Sequence, residues 1–494
     1  MLEPMDRKRK INHGIILTAT LLPFLAWISR FINADFWYDE VFTLNNYVFV
    51  PLGKTVTDYA FPNNHIFFNL INNIYLKILG IRNIYPLIDH PWIIRILPLV
   101  WTSITVLYLY RICRKFLNPF IADMTLIILV TTVPYYNFAL QVRGFGLSTM
   151  LLWMMLYYLW SFERNPKLVP AILLVLFTTL ALYTIPLNLY FILTIALFYF
   201  LSGIFKPAPN KNRPFIIVIL ICIGIATAFL LYLPVIHDVL YNRFVQSHGL
   251  FHLPTLSGTM PTALKYFISG RYLLVVIIIL GLIFYKKKHA DLVRKTILCA
   301  ALVFVPFVLS FIRGDLPHLR VFVNLVPAFA MVSSICIYFM QSNIPRLKNM
   351  LITIIILLYC NLTFALSVNH INRHLRQDIS AGRKSQDIFY NYYQAYYHPS
   401  KLLRGFTRTY RTDSIPIIAY DFDQAALPVY LQRFRIRCYG PKALEPILKS
   451  HNQAYVITAF PERFRATLLH HYPEFRCQRI NGQLSFHNIF LLTR

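Results

Sequence analysis

The chain alternates long apolar runs with short polar connections. Eleven runs approach the length needed to cross about 30 Å of hydrocarbon as helices: Gly14–Phe31, Pro91–Tyr110, Phe120–Phe138, Phe145–Trp160, Leu168–Thr184, Leu187–Phe205, Pro214–Ile236, Tyr272–Tyr285, Thr296–Ile312, Val321–Met340 and Leu351–Val368. The pattern predicts an α-helical polytopic membrane protein over residues 1–368. Gly14–Phe31 has a basic flank, Arg7–Lys10, and no small-residue cleavage site, so it reads as a retained first span.

After residue 368 the pattern changes. Ile415–Tyr420, Ala454–Ala459 and Phe486–Leu492 have the length of short buried strands, with helical stretches near Gln424–Gln432 and Ala443–Lys449. Residues 369–494 are therefore expected to form a small α/β domain. The basic, Tyr-rich stretch Asn369–Arg411 suits an interfacial helix joining it to the bundle.

Charge sets the orientation. Arg7–Lys10, Arg111–Lys115, Arg164–Lys167, Lys206–Arg213, Lys286–Lys295 and Arg346–Lys348 are short basic segments on one side, as expected of cytoplasmic loops. The alternate loops, Asn33–His90, His237–Gly270 and Arg313–Arg320, then face outward, and with an odd number of spans so does the C-terminal tail. This fits a multi-pass protein of the inner (plasma) membrane with a cytoplasmic N-terminus.

Composition agrees. The chain is 57% hydrophobic and 14% charged, with mean hydropathy +0.53. A soluble domain this apolar would aggregate. The net charge of +28 would suggest nucleic acid in a soluble protein. Here its placement in short loops explains it, and no nucleic-acid partner is expected. The outer cations suit lipid phosphates. Seven cysteines show no metal spacing. Five lie in or beside apolar runs, while Cys438 and Cys477 share the tail and are able to pair if it lies outside the cytosol.

Candidate chemistry clusters in the outer loops. Asp35-Phe-Trp-Tyr-Asp39-Glu40 follows the first run directly, in a chain with only 20 acids. Adjacent carboxylates beside aromatics are either solvated acids in an interfacial aromatic belt or a base held at headgroup level. Pro62-Asn-Asn-His65 then opens an amphipathic helix, Ile66–Leu79. His65 suits a buried structural histidine, a metal ligand or a phosphate donor. Gln141-Val-Arg143-Gly-Phe145 lies at an outer junction, as do Arg313 and His318-Leu-Arg320, with Arg271 a weaker case. Arginines there either snorkel or grip a phosphate.

Together these segments resemble the C-type glycosyltransferase superfamily. The nearest likeness is family 39, which holds the protein O-mannosyltransferases and the bacterial aminoarabinose transferases of lipid A. The residues that carry it are Asp39-Glu40, Pro62-Asn-Asn-His65, Arg95-Ile-Leu-Pro98, Gln141-Val-Arg143-Gly-Phe145, and Arg320-Val-Phe322 followed by Pro327. The resemblance spans roughly Met1–Met340 and rests on order and topology.

It implies an inverting transferase that moves a sugar from a polyprenyl-phosphate donor to an extracytoplasmic glycan, lipid or protein acceptor. Asp39, with Glu40, would supply the catalytic carboxylates, and His65, Arg143, Arg320 and Arg313 would line the donor phosphate. No cofactor is certain. A divalent metal would draw on Asp39, Glu40 and His65. Gln141 stands where some relatives carry Glu, which removes one potential ligand, and Phe145 stands where members often have Tyr. The competing readings are a polytopic transporter or lipid-linked-sugar flippase, whose key charges would lie in repeated halves near the midplane, and an oligosaccharide ligase or polymerase, whose key residues would lie in a late outer loop.

Overall fold

The structure is a computed structural model. It describes residues 20, 22, 25–26, 28–29 and 31–494, apart from 63, 206–211, 242–250, 252, 254, 284–289, 315–318, 344–348, 381–396, 411–413, 421–425 and 483–484. The chain divides into two compact units. The first comprises Met1–Arg30, Val50–Tyr75 and Arg95–Ser367; the second comprises Phe31–Phe49, Leu76–Ile94 and Val368–Arg494. The first outer loop is thus divided between them.

The first unit is helical. Seven helices are long and apolar enough to cross a membrane: Trp92–Phe116, Phe145–Arg164, Pro186–Phe205, Asn212–Leu240, Ala290–Arg313, Leu319–Ser342 and Met350–Gln377. Two bent pairs raise the number to nine if each counts as one crossing. Seven to nine of the crossings read from sequence are thus accounted for among the described residues. Leu168–Thr184 is apolar and 17 residues long, about 26 Å of helix, at the short end of the spanning range. Most of Gly14–Phe31 lies outside the described residues.

Phe120–Phe138 is not one straight span. It forms Pro119–Val130 and Val133–Ala139, bent by 72°. The cause is local. Thr132 takes an extended backbone, and Pro134, in the first turn of the second helix, has no N–H to continue the ladder. The carbonyls freed at the break are all met. Thr131 Oγ1 donates to Ile127 O at 2.7 Å, Thr132 Oγ1 to Ile128 O at 2.7 Å, and the Thr132 N–H to Leu129 O at 3.0 Å. The Tyr136 hydroxyl donates to Val130 O.

Arg271 completes this cap. Its guanidinium donates to Ile128 O at 2.8 Å, to Thr132 Oγ1 at 2.7 Å and to Thr131 O, while Nε reaches Thr363 Oγ1 at 3.2 Å. Arg271 itself sits at the elbow of the second bent pair, Leu256–Ile268 with Tyr272–Ile283, which turns through 101°. One elbow therefore caps the other. The helix Met260–Ile268 lies within what the sequence reads as the outer loop His237–Gly270.

The second unit carries a four-stranded sheet in the order β1-β2-β4-β3, with β1 Ile417–Ala419, β2 Gln453–Thr458, β3 Arg476–Arg479 and β4 Asn488–Thr493. β1 and β2 are parallel, with Ile417 opposite Tyr455; β4 runs antiparallel to both β2 and β3. Helices Leu427–Arg433 and Leu444–Ser450 supply the β1–β2 crossover. Ile418, Leu448, Val456, Phe464, Leu468, Phe490 and Leu492 form the core. Helix Pro399–Thr409 falls within the stretch Asn369–Arg411 that the sequence offers as a helix, while helix Pro461–His471 and the edge strand β3 go beyond the sequence expectation. Cys438 is exposed, Cys477 is partly buried, and both are free thiols.

Candidate functional site

The cationic candidates belong to the first unit. Asn64 organises the turn before His65: its Nδ2 donates to Thr55 O at 2.8 Å and Asp58 O at 2.6 Å, and its Oδ1 accepts from Asn69 Nδ2 at 2.8 Å. That staples the loop to the first turn of the Ile66–Ile78 helix, as the Asn-rich turn suggested. Tyr59 and Ile66 anchor it further, packing with Tyr183, Tyr232 and Val235.

His65 is buried, and its Nδ1 accepts the Gly144 N–H at 2.7 Å. Its ring meets Phe145 edge-on, 5.2 Å between centroids. The approach requires glycine: a Cβ on Gly144 would stand 2.7 Å from His65 Nδ1, and one on Gly146 would stand 2.5 Å from the Ala139 carbonyl. Arg143, between Gln141 and these glycines, is 1% exposed, with Cζ 5.7 Å from the Phe145 ring centre. Gln141 is also buried and donates to Asn137 O at 2.7 Å, closing the short Val133–Ala139 helix. Position 141 therefore serves the backbone.

Arg320 lies half-buried in the 3-10 turn Leu319–Asn324, which packs on the Val133–Ala139 and Phe145–Arg164 helices. An amide relay ties these elements together. Asn188 Nδ2 donates to Ser148 Oγ at 2.8 Å and Ala181 O at 2.7 Å, and its Oδ1 accepts from Asn324 Nδ2 at 3.0 Å. Ser148 is one helical turn past Gly144, and Asn324 is one past Arg320, so a single side chain spaces the elements that carry both arginines. Asn188, Asn324 and Ser148 are not among the residues the sequence singles out. Their signal was amides and a hydroxyl within apolar runs, where polar side chains act as interhelical ties. Arg313 ends the Ala290–Arg313 helix with its side chain exposed, where a cation favours the helix dipole. His318 lies outside the described residues.

The acidic candidates belong to the second unit. Asp39 and Glu40 open the short helix Tyr38–Thr43, and both are buried. Glu40 Oε2 accepts the Trp37 N–H at 3.0 Å, capping its own helix. The C-terminal domain holds the segment just before them. Asp35 Oδ2 accepts the Ser400 N–H at 2.9 Å, at the start of the Pro399–Thr409 helix. The buried Tyr430 hydroxyl accepts the Phe36 N–H at 2.6 Å and donates to Phe36 O at 3.1 Å. Trp37 meets Tyr397 and Phe486 edge-on at 4.8 and 5.5 Å. Further along, Arg433 forms a two-pronged pair with Asp89. The tail is thus the mount for the acidic segment.

His487 lies beside this mount, fully buried, 5.5 Å from Tyr397, with neither ring nitrogen hydrogen-bonded among the described residues. Burial pushes its imidazole down to about 3. Among the described residues no three His, Cys, Asp or Glu side chains gather as a metal site would require.

No known family model matches this sequence, and no curated protein is similar to it in sequence. The fold does match a known one. The crystal structure of ArnT from Cupriavidus metallidurans in the apo state covers 97% of this chain and 98% of that one, with a TM-score of 0.57 at 9% identity. The same ArnT bound to undecaprenyl phosphate matches over the same shares with a TM-score of 0.54. A looser likeness, TM-score 0.44 at 10% identity over 90% of this chain and 69% of the other, reaches an Archaeoglobus fulgidus oligosaccharyltransferase tethered with an acceptor peptide. The chain has the C-type glycosyltransferase fold.

Proposed function

We propose that this multi-pass membrane protein is a glycosyltransferase that moves a sugar from a polyprenyl-phosphate donor to an extracytoplasmic acceptor, a glycan, lipid or protein. The observation that carries the reading is the fold likeness to ArnT along nearly the whole chain, one ArnT structure being bound to undecaprenyl phosphate. The buried Arg143 beside the His65–Gly144 contact supports it, because a guanidinium fork suits a phosphate.

In this reading the acceptor hydroxyl attacks the anomeric carbon as the bond to the phosphate oxygen breaks. Asp39 takes the hydroxyl proton, and polyprenyl phosphate departs as a stable anion. Because that anion leaves readily, no strong general acid is required, unlike glycoside hydrolysis. One displacement inverts the configuration. Arg143 and Arg320, with His65 and Arg313, stabilise the charge growing on phosphate, a role worth several kcal/mol in comparable sites. Glu40 fixes the helix that presents Asp39. Asp39, Glu40 and His65 are the side chains a divalent metal would engage. The N-terminus is cytoplasmic, the tail extracytoplasmic, and the membrane the inner (plasma) membrane.

Asp39→Asn tests this. A carboxylate base contributes about 10²–10⁴-fold, so transfer should fall by that factor while donor binding stays normal. Unimpaired transfer would remove Asp39 from the reaction. The two bent helix pairs also suit a transporter or flippase; that reading predicts lipid-linked sugar moving between leaflets with no covalent product.

A further inference from the structure

Within the second unit several surface cations are paired with carboxylates. Lys449 pairs with Glu445 at 2.7 Å, Arg494 with Glu474 at 3.2 Å, Arg465 with Glu462 at 3.9 Å, and Arg433 with Asp89. One face departs from this. The Pro399–Thr409 helix buries Leu403 and Phe406, the latter against Tyr455 at 5.0 Å, and turns Lys401, Arg404 and Arg408 outward. At spacings of three and four these cations form one stripe.

The same helix packs on Leu427–Arg433, and Arg404 Cζ lies 5.9 Å from the Phe434 ring centre. This brings the stripe beside exposed Arg435 and Arg437. None of these five has a carboxylate partner among the described residues. The sequence of residues 397–443 holds eight Lys or Arg against three Asp, so an excess of five would remain even if every acid there were paired. Arg435 also stands at φ 56°, just past a helix end, a left-handed position that ordinarily takes glycine. A solvated face ordinarily intersperses both signs.

The chain path indicates what covers this face. Asp35 holds the first turn of the Pro399–Thr409 helix and is only four residues past Phe31, the end of the first apolar run. Four residues span at most about 14 Å. We infer that the stripe Lys401, Arg404, Arg408 with Arg435 and Arg437 docks the C-terminal unit onto phosphate-bearing lipid headgroups of the leaflet where the first span ends. The buried apolar face makes this an electrostatic contact and not an inserted helix. The inference is independent of the reaction proposed above.

The test is hydrogen exchange of the full chain in nanodiscs, with peptides covering 399–409 and 433–437 followed in phosphatidylcholine alone and with phosphatidylglycerol added. Anionic lipid should slow exchange by about fivefold per engaged cation, and high salt should reverse it. The Pro461–His471 peptide should not respond. Lys401→Gln, Arg404→Gln and Arg408→Gln combined should erase the lipid effect. Equal exchange in both discs overturns the inference. So does slowing that requires soluble tripolyphosphate, which would make the partner a free polyanion.

Discussion

Replacing Gly144 by alanine adds one methyl group where two candidate elements touch. The backbone at Gly144, φ −65° and ψ −2°, accepts alanine without strain. The difficulty is space, because the new Cβ would stand 2.7 Å from His65 Nδ1, 2.8 Å from its Cβ and 2.9 Å from its Cγ. Ordinary contact is about 3.5 Å or more, so the imidazole must retreat by about 0.8 Å. That retreat breaks the bond from the Gly144 N–H and leaves a buried donor and acceptor unmet, costing about 1–3 kcal/mol, with about 1–3 kcal/mol more for overpacking. A misplacement of about 1 Å costs up to 10²-fold in rate, so turnover should fall roughly 10- to 100-fold. Gly53→Ala is the matched control, since nothing lies within 4 Å of its Cβ and it sits in a helix of the same unit. Turnover with a synthetic polyprenyl-phosphate sugar and thermal unfolding would be measured for both, and for Gly144→Ala in a His65→Gly background, which removes all three of those atoms. There the clash is gone, and the second change should add little. Wild-type turnover in Gly144→Ala, or strict additivity of the two changes, would refute the reasoning.

Tyr430→Phe keeps the ring but strips both bonds from the Phe36 backbone, at about 1–3 kcal/mol; turnover per folded molecule should drop while donor affinity holds, which a kcat-against-Kd comparison reads directly. Arg271→Met leaves the Ile128 and Thr131 carbonyls without their guanidinium, a loss of about 2–6 kcal/mol. Arg271→Lys should not restore it, because one ammonium cannot reach Ile128 O, Thr131 O, Thr132 Oγ1 and Thr363 Oγ1 together; both are checked by melting temperature. His487 is held below its unfolded value, so the unfolded chain binds the proton first. Stability should be full above about pH 6.5 and decline as pH falls from there toward 3, by about 1.4 kcal/mol per unit at most. His487→Phe should flatten that decline in the exchange of β4.

The apolar runs made the bundle legible because burial in lipid needs little beyond length and composition. The break at Thr131–Thr132 was hidden by an unbroken apolar run. Its only local mark was Thr-Thr-Val-Pro134, and its cap comes from Arg271, about 140 residues away. β3 escaped notice because an edge strand bearing Arg476 and Arg479 has no hydrophobic alternation to read. His65, Arg143 and the Asp39-Glu40 pair stood out as polar residues at apolar boundaries. The relay through Asn188 and the grip of Tyr430 on Phe36 are long-range contacts that no window of sequence can register.

The bond between Phe36 and Tyr430 joins residues 394 positions apart. At ordinary synthesis rates of about 5–20 residues per second, that interval lasts roughly 20–80 s. During it the acid-bearing segment has emerged but its anchor does not yet exist. On the function proposed above, a chain stopped before the tail would have its spans without a fixed acid, and completion of synthesis would license its activity.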